Sequence, residues 1–166
     1  MPVEPPEFKH ALGRFPSGVT VVTVRTPEGE DHGMTASAFS SVALDPPLVL
    51  VCIRKGNSTG DYIDLAGMFA VNVLADDQVG VSNRFAGYGP GPQERFTDLA
   101  TERAPVSGAV WLKDAVARID CKVHATADGG DHTIYLGRVE ATSVSTPGGN
   151  PLIYCGGAYR TLGAKL

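Results

Sequence analysis

Between Gly33 and Leu50 the chain reads GMTASAFSSVALDPPLVL, with hydroxyls on Thr35, Ser37, Ser40 and Ser41. Met34, Ala36 and Ala38 fill the gaps, and one of the most apolar runs in the sequence follows. A row of small residues lets a flat ligand approach the backbone closely, where N–H groups and short hydroxyls can bond its rim. The same hydroxyls can instead bond neighbouring backbone in a strand and turn. Composition leaves both uses open.

Other chemistry-bearing residues are sparse. His10, His32, His124 and His132 have no Cys or acidic partner at a zinc-like spacing, so no metal site is expected, although His124 and His132 flank one turn. Cys52, Cys121 and Cys155 are odd in number, widely separated and set in apolar runs, which predicts buried reduced thiols. The chain has no strand-linked dinucleotide fingerprint, no phosphate-cradling P-loop and no serine nucleophile elbow. The sequon at Asn57 lacks any secretion signal to give it meaning.

The elements that must position these residues follow from periodicity and punctuation. PPEFKHALGRFP predicts a short helix with Phe8, Leu12 and Phe15 near one face. GVTVVTVRT, DHGMTASAF, PPLVLVCI and FAVNVLA read as strands, the third buried on both faces. Helices are expected over residues 57–68 and 76–87, and the Gly/Pro-rich stretch 87–95 is a loop. Residues 109–146 alternate around a Gly-Gly turn and predict one long hairpin, and PLIYCGGAYRTL closes with one more strand. About seven strands and three short helices with hairpin-like connections argue for a mainly β fold, a closed barrel with peripheral helices.

With 166 residues the chain is read as one domain, 1–166, with 43% hydrophobic and 19% charged residues. A net charge of −4 argues against nucleic-acid or anionic-membrane partners. No stretch is apolar enough for a signal peptide or a membrane span, so a cytoplasmic location is expected.

The blocks GVTVVTV, HGMTASAFSSVALDPPLVLVCI, FAVNVLADDQ, SNRFAG, GDHTIYLGRV and PLIYCGGAYRTL occur in this order between Phe8 and Leu162. In them the chain resembles the flavin reductase family, short NAD(P)H:flavin oxidoreductases that supply reduced flavin to two-component monooxygenases. The TASAFSSV…PP and GDH blocks together carry the specificity of the match. The resemblance implies an FMN-binding split β-barrel, a homodimer, FMN or FAD with NADH or NADPH, and an oxygenase component as partner. It also implies hydride passage from nicotinamide C4 to flavin N5.

By the same resemblance, Thr35, Ala36 and Ser37 lie along the flavin ring, with Ser41 and Val42 nearby. Lys55, Asn57 and Ser58 approach the ribityl phosphate at a helix start, where a dianion is favoured. Ser82, Arg84 and Phe85 match a second flavin-contacting stretch. Tyr159 and Arg160 fall where the site closes. His132 sits beside the nicotinamide, and Asp131 shapes the turn. Cys155 stands where many relatives carry histidine, so no role carries over there. Two further readings stay open: a split-barrel flavoprotein holding FMN as oxidase or electron carrier, and a non-catalytic flavin-binding module.

Overall fold

The computed structural model describes residues 3–145 and 149–165. Helix α1 (Pro5–Leu12) starts on two prolines, which fit the donor-free first turn. Strands β1 (Ser17–Gly18), β2 (Thr20–Arg25), β3 (Asp31–Ala36), β4 (Phe39–Leu44) and β5 (Pro47–Arg54) follow. Helix α2 (Ser58–Ala66) is capped by the Asn57 carboxamide, which accepts from the Thr59 amide at 2.9 Å, and ends on left-handed Gly67. Then come β6 (Met68–Val73), α3 (Val79–Phe85), β7 (Thr101–Arg103), β8 (Val110–Leu112), β9 (Ala117–Gly129), β10 (His132–Val144), β11 (Ile153–Cys155) and β12 (Ala158–Arg160).

Seven strands form one antiparallel sheet in the order β3-β2-β6-β9-β10-β5-β4. Its two edges, β3 and β4, are consecutive in the chain and separated only by Ser37 and Ala38. The sheet therefore curls until its edges are joined by covalent chain, making the mainly β, split-barrel arrangement. Val22, Val51, Ile53, Phe69, Val71 and Tyr135 fill the interior, with Ile63 added from α2. A second cluster outside it gathers Val19, Val21, Leu74, Phe85, Leu112 and Leu152.

Strand β2 serves both clusters and is buried on both faces. Its hydroxyls are satisfied there: Thr20 donates to the Ala36 carbonyl and Thr23 to the Val110 carbonyl, both at 2.7 Å.

Several expectations need correction. Strand β5 alternates between buried and partly buried positions rather than being covered on both sides: Val49, Val51 and Ile53 are buried, while Leu48, Leu50 and Cys52 are only partly so. The hairpin expected over 109–146 is two units: β8 pairs with β7, and only β9 and β10 form the long ribbon. Thr146 lies outside the described residues. The closing segment is a two-strand hairpin turning through Gly156 and Gly157, both at positive φ. Helix α1 buries nothing: Phe8, Leu12 and Phe15 are all exposed. All three cysteines are free, but only Cys121 is buried, its thiol pushed up to about 12 chiefly by desolvation.

Gly137 sits at the β9–β10 register shift, where an added Cβ would stand 2.6 Å from Phe69 Cζ and 3.0 Å from Cys121 Cβ. Phe69 is fully buried and has nowhere to retreat. A Gly137→Ala variant should lose about 2–3 kcal/mol, the usual cost of overpacking. Urea denaturation reads this directly, and an unchanged midpoint would mean the ribbon has slack the packing does not show.

Candidate functional site

The junction of β3 and β4 builds the site. Ladder pairing stops at Ala36 on one side and resumes at Phe39 on the other, leaving Ser37 and Ala38 exposed. The Ala38 carbonyl accepts from the Cys52 amide at 2.9 Å. The Ser37 and Ala38 amides have no hydrogen-bond partner among the described residues. Unpaired amides are normally hydrated or reserved for a ligand.

Two cavities meet at Ser37. One, of about 210 Å³, is lined by Val19, Thr35, Ser37, Ser82, Ala86, Tyr88, Tyr154 and Tyr159. The other, of about 500 Å³, runs between the end of α1 and the outer face of β5, bounded by Leu12, Phe15, Ser37–Ser40, Leu50 and Cys52. The larger is within the roughly 300–1,000 Å³ of cofactor sites. Desolvation raises the Cys52 thiol above its ordinary range, so it remains protonated at neutral pH.

A hydrogen-bonded frame fixes the smaller cavity. Thr35 Oγ1 donates to the Ser82 carbonyl at 2.6 Å, and Ser82 Oγ and Tyr159 Oη are 2.9 Å apart. Tyr159 also donates to Asn83 Oδ1 at 3.0 Å and packs edge-on against Tyr154, 5.4 Å between centroids. Residues 47 and 77 positions apart are thereby locked together.

A second group lies at the β9–β10 turn. His132 Nδ1 and Asp131 Oδ1 are 2.7 Å apart, and this contact holds the Asp131 carboxyl below its ordinary range. His132 pairs with Arg54, Ile134 with Cys52 and Leu136 with Leu50. Alternate residues share a face, so His132 lies on the face that carries Cys52 and Leu50, beyond the end of the larger cavity. Gly129, not His124, stands opposite His132. Lys55 donates to Asp128 at 2.5 Å and depresses that carboxyl. Both groups are largely exposed, so an incoming anion can exchange for the carboxylate at little cost.

The remaining sequence candidates are placed differently. Asn57 is committed to capping α2, with Ser58 exposed beside it. The Ala36 methyl belongs to the barrel core. Phe85 is 2% exposed and packs in the second cluster, 5.0 Å edge-on from Phe96. Arg84 donates to the Thr97 carbonyl at 2.8 Å and lines a separate cavity with Pro90, Glu94 and Asp98. Ser41 and Val42 are exposed on edge strand β4 and line neither cavity.

Val19, Leu50, Cys52, Tyr88 and Tyr154 are cavity-lining residues the sequence reading passed over. Tyr88 alone carried a signal, an aromatic isolated between glycines in GYGPGP.

Residues 12–163 match the model of the flavin reductase like domain. The chain is 41% identical over 160 residues to the NADH-dependent FMN reductase AsuE2 of Streptomyces nodosus subsp. asukaensis, covering 94% of this chain and 84% of the relative. Among solved structures, the NADH:FAD oxidoreductase SgcE6 of Streptomyces globisporus C-1027 superposes with a TM-score of 0.89 at 35% identity, covering 99% and 98% of the two chains. A homologue of nitrilotriacetate monooxygenase component B from Mycobacterium thermoresistibile gives 0.89 at 33% identity, covering 95% and 86%. A barrel of this topology, matched along nearly its whole length at these identities, belongs to the flavin reductase family.

Proposed function

We propose that this chain acts as a single flavin reductase-like domain, using NADH, or NADPH, to reduce FMN or FAD for a partner oxygenase in the cytoplasm. The observation that carries this reading is the Ser37–Ala38 junction, two partnerless amides on a small-residue ledge between cavities able to take a flat ring. AsuE2 is named as an NADH-dependent FMN reductase and SgcE6 as an NADH:FAD oxidoreductase, which supports the chemistry with either flavin. The name of component B, of a monooxygenase, supports an oxygenase as recipient.

When bound, the nicotinamide supplies a hydride and the flavin accepts it, so the electron chemistry is theirs. The chain's part is alignment, electrostatics and exclusion of water. The Ser37 and Ala38 amides donate to the acceptor rim of the ring and stabilise negative charge there. Tyr159 and Ser82 hold each other rigid, giving the ring a fixed wall. Lys55 with Ser58, and Arg84, are the cations and donors available for nucleotide phosphates. His132, oriented by Asp131, positions the nicotinamide on the open face of β5. A homodimer is part of the proposal, supported by Val42, Leu44 and Val144, apolar side chains exposed on β4 and β10.

Anaerobic stopped-flow mixing with each nicotinamide and each flavin tests the reading: flavin absorbance must bleach on mixing. A chain that binds flavin but leaves it oxidised with both nicotinamides is a binding module instead. In the same assay, His132→Ala should raise the nicotinamide KM about fivefold or more while flavin affinity holds, the pattern of lost substrate positioning. Equal kinetics in the two proteins remove His132 from the site.

A further inference from the structure

We infer that Tyr88 is a flavin-stacking residue, its ring closing over the cavity bounded by Thr35, Ser37 and Tyr159; this rests on the flavin reading above. Three tyrosines frame that cavity, and they are held differently. Tyr159 is pinned through its hydroxyl to Ser82 and Asn83, and Tyr154 packs edge-on against Tyr159. Tyr88 lines the same cavity yet is 81% exposed, and its hydroxyl has no hydrogen-bond partner among the described residues.

Its backbone, by contrast, is anchored. The Tyr88 amide donates to the Asn83 carbonyl at 2.9 Å, which ties it to the end of α3. Gly87 before it takes φ +95°, a conformation that side chains disfavour. Gly89 after it sits where an added Cβ would approach Arg84 Cα to 3.3 Å. The two glycines thus turn the chain off α3 and press it back onto the helix, delivering Tyr88 to the cavity rim. A large aromatic ring so exposed at a cavity rim gains by laying one face on a flat π-system. Rotation about its side-chain torsions accomplishes this without moving the backbone.

Fluorescence titrations of FMN and of FAD, without nicotinamide, compare wild type with Tyr88→Ala, Tyr88→Leu and Tyr88→Phe. The Ala and Leu variants should weaken flavin binding about fivefold or more, as loss of one stacking partner does, and relieve quenching of the bound flavin. The Phe variant should bind within about twofold of wild type, because the ring face and not the hydroxyl makes the contact. Equal affinity and quenching in wild type and Tyr88→Ala would overturn the inference while leaving the flavin reading intact. A wild-type chain that quenches neither flavin sinks both. Circular-dichroism melts check that each variant is folded, as expected for a side chain so exposed.

Discussion

A Ser37→Trp variant should fold as the wild type does and lose flavin reduction by roughly two orders of magnitude in kcat/KM, about 2.7 kcal/mol of transition-state stabilisation. Ser37 is exposed, and its hydroxyl has no hydrogen-bond partner among the described residues, so the fold does not depend on it. Surface substitutions of this kind usually change stability by less than about 0.5 kcal/mol. Yet Ser37 is the residue that both cavities share, and an indole there would occupy the ground a flat ring needs. Ser37→Ala keeps the ledge small and keeps the amide, so it should cost only a few-fold. The contrast separates bulk from hydroxyl chemistry. Steady-state reduction at saturating NADH, paired with a thermal melt, reads both effects. A tryptophan variant as active as wild type would place the ring elsewhere.

The largest expected stability effect belongs to Asn72, a fully buried carboxamide on β6. Its Oδ1 accepts from the Leu112 amide at 2.7 Å, and its Nδ2 donates to the Val21 carbonyl at 3.1 Å and the Val110 carbonyl at 3.3 Å. One side chain therefore bolts β8 to the barrel strands β2 and β6. Removing it leaves one buried donor, the Leu112 amide, and two buried acceptors, the Val21 and Val110 carbonyls, with fewer partners, at about 1–3 kcal/mol for each group left unsatisfied. Asn72→Ala should lose about 3–4 kcal/mol. Asn72→Asp should lose more, since a carboxylate would face two carbonyl oxygens and bring an uncompensated charge into the interior. Chemical denaturation of both variants measures this. A loss under about 1 kcal/mol would show that buried water replaces the carboxamide without penalty.

Much of the barrel was legible in the chain. The β-branched run of β2, the helix expected over 57–68 and the Gly-Gly turn at Gly129–Gly130 are local signals, and the structure places β2, α2 (Ser58–Ala66) and the β9–β10 turn there. The flavin reductase blocks pointed to Thr35–Ser37, to Ser82 and, separately, to Tyr159; that Thr35 bonds the Ser82 carbonyl and Ser82 meets Tyr159 came only from the structure. Phe85 was grouped with Ser82 and Arg84 in one block; Ser82 and Phe85, three residues apart on α3, share its buried face, and Phe85 packs into the second cluster. Ser82 faces Tyr159; Phe85 faces Phe96. Phe8 and Leu12 recur on α1 and are exposed, since periodicity identifies a face and not whether another element covers it.

From residue order alone came the three helices, most of the long strands, the small-residue ledge and the absence of the familiar nucleotide-binding loops, because each depends on neighbours a few positions apart; strands β4 and β7 and the helical turn at Pro92–Glu94, inside the stretch read as a loop, did not. Tertiary structure alone decided that the sheet's two edges meet at Ser37 and Ala38, that Leu50 and Cys52 line a cavity and are not fully buried, and that Tyr88, Tyr154 and Tyr159 line one cavity. Those are contacts between segments far apart in the chain, chosen by how a curled sheet closes and which apolar surfaces reach one another first. No local pattern encodes that choice.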